Sequence, residues 1–102
     1  MNIAKIISFC TDENIEVTDH ILRRLQTRKI KYSELKEAIC NGEIIEDYPD
    51  DYPFPSCLIL GKTIRERWLH VVVGLSDRKL WFITAYEPDP EKWSEDFRER
   101  RK

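Results

Sequence analysis

Apolar residues near the start of the chain recur three or four positions apart, which is the spacing of an amphipathic helix. Ile3, Ile6, Ile7 and Cys10 follow this spacing, and the polar residues after Cys10 end it. The pattern predicts a short first helix, followed by a brief extended link over residues 15–17.

The same periodicity predicts two more helices between residues 18 and 41. Thr18 is a suitable N-cap for a helix from about Asp19 to Arg28, because its hydroxyl can accept a hydrogen bond from an N–H of the first turn. Ser33 is the expected N-cap of the third helix, and Gly42 suits the left-handed residue that often follows a helix. The apolar faces of these two helices are Ile21, Leu22 and Leu25, and Leu35, Ala38 and Ile39.

Beyond Gly42 the pattern changes to the alternation that is typical of β-strands. Four strands are predicted, over residues 43–48, 57–60, 67–75 and 80–86, and a proline-rich loop joins the first two. Alternation places Trp68, His70 and Val72 on one face of the third strand, and Phe82, Thr84 and Tyr86 on one face of the fourth.

The last predicted element is a helix opened by Asp89 and Pro90, residue types that favour the N-cap and the first helical position. Trp93 and Phe97 are four residues apart and would dock it. Helices followed by adjacent strands predict an α+β fold, with N-terminal helices, a four-stranded antiparallel sheet and a short C-terminal helix. The length of 102 residues fits one domain, residues 1–102.

The composition narrows the function classes. Seventeen basic and nineteen acidic residues give a net charge of −2, which removes the argument for a nucleic-acid partner from a chain that is basic as a whole. The sequence has no signal segment and no apolar run of membrane length, so we expect a cytoplasmic protein with no membrane partner. Cys10, Cys40 and Cys57 form no metal-binding pattern, and we expect reduced thiols, no metal and no cofactor.

The charges are unevenly distributed along the chain. Residues 18–36 contain six basic and two acidic side chains, whereas residues 43–51 contain five acidic side chains and no basic one. Two interpretations are open: the two blocks pair with each other, or the basic block meets nucleic acid while the acidic loop meets a partner or orients the basic residues.

His20, Arg24 and Arg28 are four residues apart and form a single stripe beside the apolar face of the second helix. The stripe could present an imidazole and two guanidinium groups to a phosphate backbone. The alternative is a solvated polar face in which Arg28 pairs with a nearby carboxylate.

His70 lies between Leu69 and Val71, in the middle of an apolar strand. A buried imidazole needs a hydrogen-bond partner, so His70 is either a core residue with such a partner or a catalyst. If the third and fourth strands pair, Tyr86 falls close to His70 and the two residues form a His–Tyr cluster.

Five motifs occur in order along the chain: H-x-x-x-R-x-x-x-R at 20–28, N-G-E-I-I-E-D-Y-P at 41–49, P-S-C-L-I-L-G at 55–61, L-H-V-V-V at 69–73 and I-T-A-Y-E-P-D-P-x-K-W at 83–93. With these motifs the chain, from about Ile15 to Arg98, resembles the bacterial and archaeal family known as domain of unknown function number four-two-five-eight.

This resemblance implies similarity to small toxin-like domains of the RelE and ParE type, in which helices precede an antiparallel sheet. Relatives in that broader group cleave messenger RNA without a metal ion, and members of the family often occur near antitoxin-like proteins. The positions that match the family's polar pattern are His20, Arg24, Arg28, His70, Tyr86 and Trp93.

The first hypothesis is therefore a toxin-like, metal-independent endoribonuclease of the mRNA interferase type, with RNA and an antitoxin-like protein as partners. A ribose 2′-hydroxyl would attack the adjacent phosphate, while histidine or tyrosine side chains move protons and arginines stabilise the charge on phosphorus. The alternatives are a non-catalytic module that binds RNA or protein, and a structural domain whose histidines belong to the core. The candidate catalytic residues are His20, Arg24, His70 and Tyr86, and the candidate RNA-binding residues are Arg23, Arg28, Trp93 and Arg98.

Overall fold

The structure, a computed structural model, describes residues 1–102 and contains three helices and five strands. This arrangement confirms the predicted α+β class. The helices are α1 (Ile3–Ser8), α2 (Asp19–Thr27) and α3 (Tyr32–Cys40), and the strands are β1 (Ile15–Glu16), β2 (Glu43–Tyr48), β3 (Ser56–Lys62), β4 (Trp68–Ser76) and β5 (Lys79–Tyr86).

The sheet has five strands in the order β1-β5-β4-β3-β2, and the pair β1–β5 is parallel while the other pairs are antiparallel. The predicted four-stranded antiparallel sheet is therefore wrong in one strand, because the expected link at residues 15–17 joins the sheet. Ile15 pairs with Leu80, and the N–H of Leu80 donates to the carbonyl of Asn14 at 2.8 Å. Two residues are too few to show an alternating pattern, so the sequence carries no signal for this strand.

The three helices cover one face of the sheet and form the main core with it. Burial of each large aliphatic side chain contributes roughly 1.5–3 kcal/mol, so this layer is the principal source of stability. None of the three helices combines the length and the apolar character that a bilayer crossing needs. The core side chains are Ile6, Ile21, Leu25, Leu35, Ala38 and Ile39 from the helices and Cys57, Ile59, Leu69, Val71, Val73, Leu80, Phe82 and Ala85 from the strands.

The helix ends confirm one predicted cap and correct two others. Thr18 caps α2, since its hydroxyl oxygen accepts a hydrogen bond from the N–H of Ile21 at 3.3 Å. Ser33 does not cap α3: the helix begins at Tyr32 with Lys31 at the N-cap position, two residues earlier than expected, and the Glu34 carboxylate accepts a hydrogen bond from the N–H of Lys31 at 2.9 Å. Gly42 is not left-handed, because no glycine of the chain has a positive φ.

A β-bulge in β5 changes which residues share a face. Val72 pairs with Thr84 and Val73 with Phe82, so Ile83 is the extra residue between them. Phe82 is consequently buried in the core beneath the helices, whereas Thr84 and Tyr86 lie on the opposite face. The predicted shared face of Phe82, Thr84 and Tyr86 is therefore wrong, because one extra residue inverts the alternation.

The predicted C-terminal helix is also wrong. One turn forms, in which the N–H groups of Lys92 and Trp93 donate to the carbonyl of Asp89, each at 3.0 Å. The chain then folds back on itself, so that Trp93 and Arg100 form an isolated antiparallel bridge. The Asp96 carboxylate accepts hydrogen bonds from the Ser94 hydroxyl and the Arg98 N–H, and such local side-chain bonds compete with helix formation. We call residues 93–100 the C-terminal segment.

The C-terminal segment lies on the second face of the sheet. Trp93 is buried there, and the carbonyl oxygen of Phe97 contacts the His70 side chain of β4. Leu58 and Leu60 of β3, which pair with Val72 and His70, are buried as well. The central strands are therefore covered on both faces, by helices on one side and by an irregular segment on the other.

Gly61 of β3 lies very close to the backbone of α3. A Cβ atom at Gly61 would lie 1.9 Å from the carbonyl oxygen of Ala38.

We expect Gly61→Ala to lower the free energy of unfolding by about 1–3 kcal/mol, the usual cost of forcing extra atoms into a packed core. Urea unfolding followed by circular dichroism measures this change. Ser33→Ala is the matched control and should stay within about 0.5 kcal/mol of wild type, as surface substitutions do. Equal stability of both variants would contradict the close contact of α3 with β3.

Candidate nucleic-acid interface

His70 is a fully buried residue on the second face of the sheet. Its Nε2 lies 2.9 Å from the carbonyl oxygen of Phe97. Because a carbonyl can only accept, Nε2 carries the proton of this hydrogen bond, and Nδ1 is an unprotonated nitrogen. Nδ1 is buried and has no hydrogen-bond partner. His70 is thus a core histidine with only one of its two polar atoms satisfied.

Two aromatic rings enclose the His70 imidazole. The ring centroid of Trp93 lies 4.4 Å from that of His70, and the centroid of Tyr86 lies 5.3 Å away, both edge-on. Burial lowers the pKa of His70 and raises the pKa of Tyr86, in each case because the charged form loses hydration. The cluster therefore consists of a neutral imidazole beside a protonated phenol, and it confirms the predicted proximity of His70 and Tyr86.

Arg100 fixes the C-terminal segment over this cluster. Its Nε and Nη2 atoms donate to the two carboxylate oxygens of Glu46 at 2.9 and 3.0 Å, and its guanidinium carbon lies 4.8 Å from the Trp93 ring centroid. The hydrogen bond from Arg100 is the main reason that the pKa of Glu46 is lowered. The Tyr48 hydroxyl also donates to Glu46, and burial is the largest cause that raises the pKa of Tyr48 to about 12.

Three of the five acidic residues in the block of residues 43–51 pair with charged groups near the chain termini. Arg98 Nη2 lies 2.5 Å from Glu43 Oε1, Arg100 pairs with Glu46, and the amino group of Met1 lies 3.1 Å from Asp47 Oδ2. The acidic block and the basic block of residues 18–36 therefore do not pair with each other. Arg98, a predicted RNA-binding residue, is engaged in this ion pairing instead.

The exposed side of α2 carries basic residues without partners. The side chains of His20, Arg23 and Arg24 are exposed and form no hydrogen bond or salt bridge. Arg28 differs, because its Nη1 donates to the Thr84 hydroxyl oxygen at 3.1 Å and to the Ala85 carbonyl at 2.8 Å. Arg28 therefore does not pair with a carboxylate, and its hydrogen bonds go to two oxygen atoms at the edge of β5.

The edge of β5 explains the position of Arg28. Strand β1 pairs only with Leu80 and Trp81, so the rest of this edge has unpaired backbone groups. Arg28 satisfies one of them and connects the end of α2 to the strand that carries Tyr86. His20 lies eight residues earlier, about 12 Å away along the helix axis.

An open cleft of about 370 Å³ lies next to Tyr86. Its lining includes the almost fully buried Trp93, the cations Lys92 and Arg100, and the carboxylates Glu87 and Asp89. Of the predicted site residues, the structure brings His70, Tyr86 and Trp93 into contact, with Arg28 beside them. His20, Arg23 and Arg24 lie apart on α2, so the two histidines do not meet.

Several residues of this region were missed by the sequence analysis, and Arg67 is the most connected of them. Its Nη1 donates to the Lys29 carbonyl at 2.9 Å and to Glu34 at 3.2 Å, and its Nη2 donates to the Arg28 carbonyl at 3.2 Å and to Glu87 at 2.6 Å. Arg100, Glu46 and Lys92 were also missed. All these contacts join segments far apart in sequence, and a spacing rule cannot detect such contacts.

No three side chains among His, Cys, Asp and Glu lie close enough together to hold a metal ion. The three cysteines are free thiols. Burial raises the pKa of both Cys10 and Cys57 to about 11, so neither thiol is activated as a nucleophile.

The fold and the cleft define a small α+β protein with an aromatic cluster beneath a mixed-charge cleft and a basic helix beside it. Residues 17–87 match the family model described as Domain of unknown function (DUF4258). This match covers most of the chain, so the chain belongs to that family, as its motifs predicted. His20, Arg24, Arg28, His70 and Tyr86 lie inside the match, and the C-terminal segment lies outside it. No curated protein and no solved structure matches the chain.

Burial of His70 has a consequence for stability. The unfolded imidazole titrates near its ordinary pKa of about 6.5, whereas the folded one titrates lower. Below pH 6.5 the unfolded chain therefore binds more protons, and we expect the free energy of unfolding to fall as pH decreases from 7 to 5, by at most about 1.4 kcal/mol per pH unit. Urea unfolding at several pH values measures this slope.

His70→Gln should flatten that slope, because glutamine does not titrate, whereas His20→Gln should retain it. The carboxylates with lowered pKa, such as Glu46, titrate below this pH window. An unchanged slope in His70→Gln would show that the imidazole is not held neutral by burial.

Proposed function

We propose that this protein acts on RNA. The RNA binds along the exposed basic residues of α2 and in the Tyr86 cleft. The supporting observation is that Arg23 and Arg24 are exposed and unpaired on α2, and that Arg28, the C-cap residue directly after this helix, reaches the strand of Tyr86. Guanidinium groups bind phosphate oxygens in a bidentate manner, so the exposed side chains of Arg23 and Arg24 are suited to bind a sugar–phosphate backbone.

The cleft supplies what the helix lacks, a place for a base. Tyr86, which is partly exposed, lines a space of about 370 Å³ beside Lys92 and Arg100, whereas Trp93 is almost fully buried in its wall. Stacking of a nucleic-acid base on an aromatic side chain contributes roughly 1–3 kcal/mol. Unpaired nucleotides can enter such a cleft and bases within a duplex cannot, so the expected ligand is single-stranded RNA.

Cleavage of the bound RNA without a metal ion is the second candidate function. In this reaction the 2′-hydroxyl oxygen bonds to phosphorus, the bond from phosphorus to the 5′-oxygen breaks, and a 2′,3′-cyclic phosphate and a 5′-hydroxyl result. The favouring observation is that Tyr86 is held as a protonated phenol at an open cleft, where it can donate a proton to the leaving 5′-oxygen.

A histidine would have to serve as the base of this reaction. Nδ1 of His70 is unprotonated and belongs to a ring that packs against Tyr86, but it is fully buried. It becomes accessible to a 2′-hydroxyl only when the C-terminal segment moves away from the sheet. His20 is exposed but lies about 12 Å along α2 from Arg28, where it is better placed to contact a neighbouring nucleotide. Binding is therefore supported more directly than cleavage.

The wider proposal is a toxin-like protein. Helices that precede a mainly antiparallel sheet support the RelE and ParE-like architecture that the resemblance implies. In this proposal the protein acts in the cytoplasm, and an antitoxin-like protein controls it by covering the basic side of α2 with acidic residues.

The binding proposal predicts a local and salt-sensitive interaction. Arg23→Gln/Arg24→Gln should weaken binding of a labelled 12-nucleotide single-stranded RNA and lower the slope of log K against log salt by about 0.7 for each phosphate that the variant no longer neutralises. Fluorescence anisotropy between 50 and 200 mM KCl, the range over which such ionic interactions weaken strongly, measures both quantities.

The matched control is Lys5→Gln/Arg78→Gln, which removes the same charge at exposed positions away from α2. It should bind like wild type. Equal reductions of affinity in the two double variants would show that only net charge matters, and the proposed interface would be wrong.

The cleavage candidate predicts a defined product. Wild-type protein in EDTA should convert the RNA to fragments with 2′,3′-cyclic phosphate ends, and Tyr86→Phe should reduce the rate by roughly 10²–10⁴-fold with little change in RNA affinity. Mass spectrometry of the products and anisotropy of a 2′-deoxy substrate analogue measure the two effects. Intact RNA after incubation with wild type, or equal rates for Tyr86→Phe prepared in parallel, would leave RNA binding as the function.

A further inference from the structure

A second concave surface of the protein is larger than the Tyr86 cleft. A groove of about 580 Å³ lies between the start of α3 and the turn that joins β3 to β4. We call it the α3 groove, and its charged walls come from Lys29, Lys31, Arg65 and Arg67, with Glu34 and Glu37 on the helix. Neither the binding proposal nor the family motifs assign a role to it.

The two carboxylates of the α3 groove are already engaged by the fold. Glu34 accepts hydrogen bonds from the N–H of Lys31 at 2.9 Å and from Arg67 Nη1 at 3.2 Å. Glu37 accepts a hydrogen bond from the N–H of Ile64 at 3.0 Å. Their charge therefore serves to hold the walls of the groove together.

The cations of the groove are in excess and mostly unpaired. Lys29, Lys31 and Arg65 form no salt bridge with any carboxylate, and Arg65 is exposed. The hydroxyl of Ser33, the expected helix cap, makes no hydrogen bond and lines the same space. Three unpaired cations and one hydroxyl around a concave surface are suited to bind phosphate oxygens.

The turn that presents Arg65 is fixed by its own hydrogen bonds. The N–H of Thr63 donates to the Arg67 carbonyl at 2.9 Å, and the Thr63 hydroxyl accepts from the N–H of Arg67 at 3.1 Å. The N–H of Glu66 donates to the Thr63 carbonyl at 2.8 Å. Arg65 is therefore held on a closed turn, which lowers the entropic cost of binding a ligand.

Arg67 joins the α3 groove to the Tyr86 cleft. Its Nη1 contacts Glu34, which lines the groove, and its Nη2 contacts Glu87, which lines the cleft. The two cavities thus lie on either side of one guanidinium group. A ligand with several phosphates in a row can follow this path from one cavity into the other.

We propose that the α3 groove is a second phosphate subsite, which binds the RNA backbone beyond the nucleotide in the Tyr86 cleft. Lys31, Arg65 and Ser33 contact the phosphodiester oxygens. This inference rests on the proposed function and extends it, because it implies a substrate that covers several nucleotides and crosses Arg67.

The test measures how removal of two groove cations changes the affinity for a 12-nucleotide RNA and for a single nucleotide. Lys31→Gln/Arg65→Gln should weaken binding of a 12-nucleotide RNA about tenfold at low salt and lower the salt slope by about 1.4, which corresponds to two neutralised phosphates on a single strand. Binding of a single nucleoside monophosphate, which fills only the cleft, should change less than about twofold. The matched control is again Lys5→Gln/Arg78→Gln, and circular dichroism verifies that each variant is folded.

Inorganic phosphate provides the second arm of the experiment. Amide chemical shifts of Ser33 and Arg65 are followed by NMR during addition of phosphate alone and of the 12-nucleotide RNA. Shifts with both ligands, together with the weaker RNA binding of the groove variant, support the subsite. Shifts with phosphate but unchanged RNA affinity in the groove variant would assign the groove to free phosphate and overturn the RNA path.

The experiment distinguishes a failure of the phosphate subsite from a failure of the RNA-binding proposal. If wild type binds RNA and the groove variant matches it in affinity and salt slope, the subsite is wrong and the binding proposal stands. If wild type does not bind the RNA at all, the proposed function is wrong, and the RNA path through the groove is wrong with it.

Discussion

The β-bulge at Ile83 places two sets of β5 side chains on opposite faces of the sheet, where each set is buried in a different layer. Before the bulge, Leu80 and Phe82 point into the core beneath the helices; after it, Thr84 and Tyr86 face the other side. Without the extra residue, either Phe82 would leave the core or Tyr86 would enter it. The His70–Tyr86 contact, the cleft and the position of Arg28 all depend on this inversion.

The second face of the sheet is built differently from the first. A helical layer buries one face by continuous apolar packing, whereas the C-terminal segment covers the other with a few directional contacts. These contacts are the His70 hydrogen bond to Phe97, the ring of Trp93, and the bidentate pair of Arg100 with Glu46. Exposed ion pairs contribute little to stability and are screened by salt. The C-terminal segment is therefore held by few contacts, and it covers His70, whose Nδ1 is the one buried side-chain nitrogen that lacks a partner.

The sequence predicted those parts of the fold that depend on local periodicity. The α+β class, the course of α2, its Thr18 cap and the face shared by Trp68, His70 and Val72 all follow from spacing along one element. The errors arose where a distant contact overrides the local pattern. Strand β1 exists because Leu80 pairs with Ile15, and the expected last helix is replaced by a segment that local side-chain bonds and the sheet hold in another shape.

In the candidate site, too, local spacing predicted some features and distant contacts determined the others. His70 and Tyr86 could be placed together because both lie on predicted neighbouring strands. The separation of His20 from His70 could not be predicted, because it depends on how α2 lies against the edge of β5. Arg67 and Arg100 were missed because their partners are contributed by distant segments, and no pattern in one segment indicates such an arrangement.

The pairing of the C-terminal arginines with β2 has a further consequence for how the molecule behaves toward large ions. The formal net charge of −2 is the sum of the charges, but the attraction of a polyanion depends on where these charges lie on the surface. Glu43 and Glu46 of the acidic strand pair with Arg98 and Arg100, whereas the exposed arginines of α2 and three cations of the α3 groove form no salt bridge. The unpaired cations therefore remain available to attract anions, while part of the acidic block is neutralised within the fold. The protein's electric field is oriented, although its total charge is almost zero.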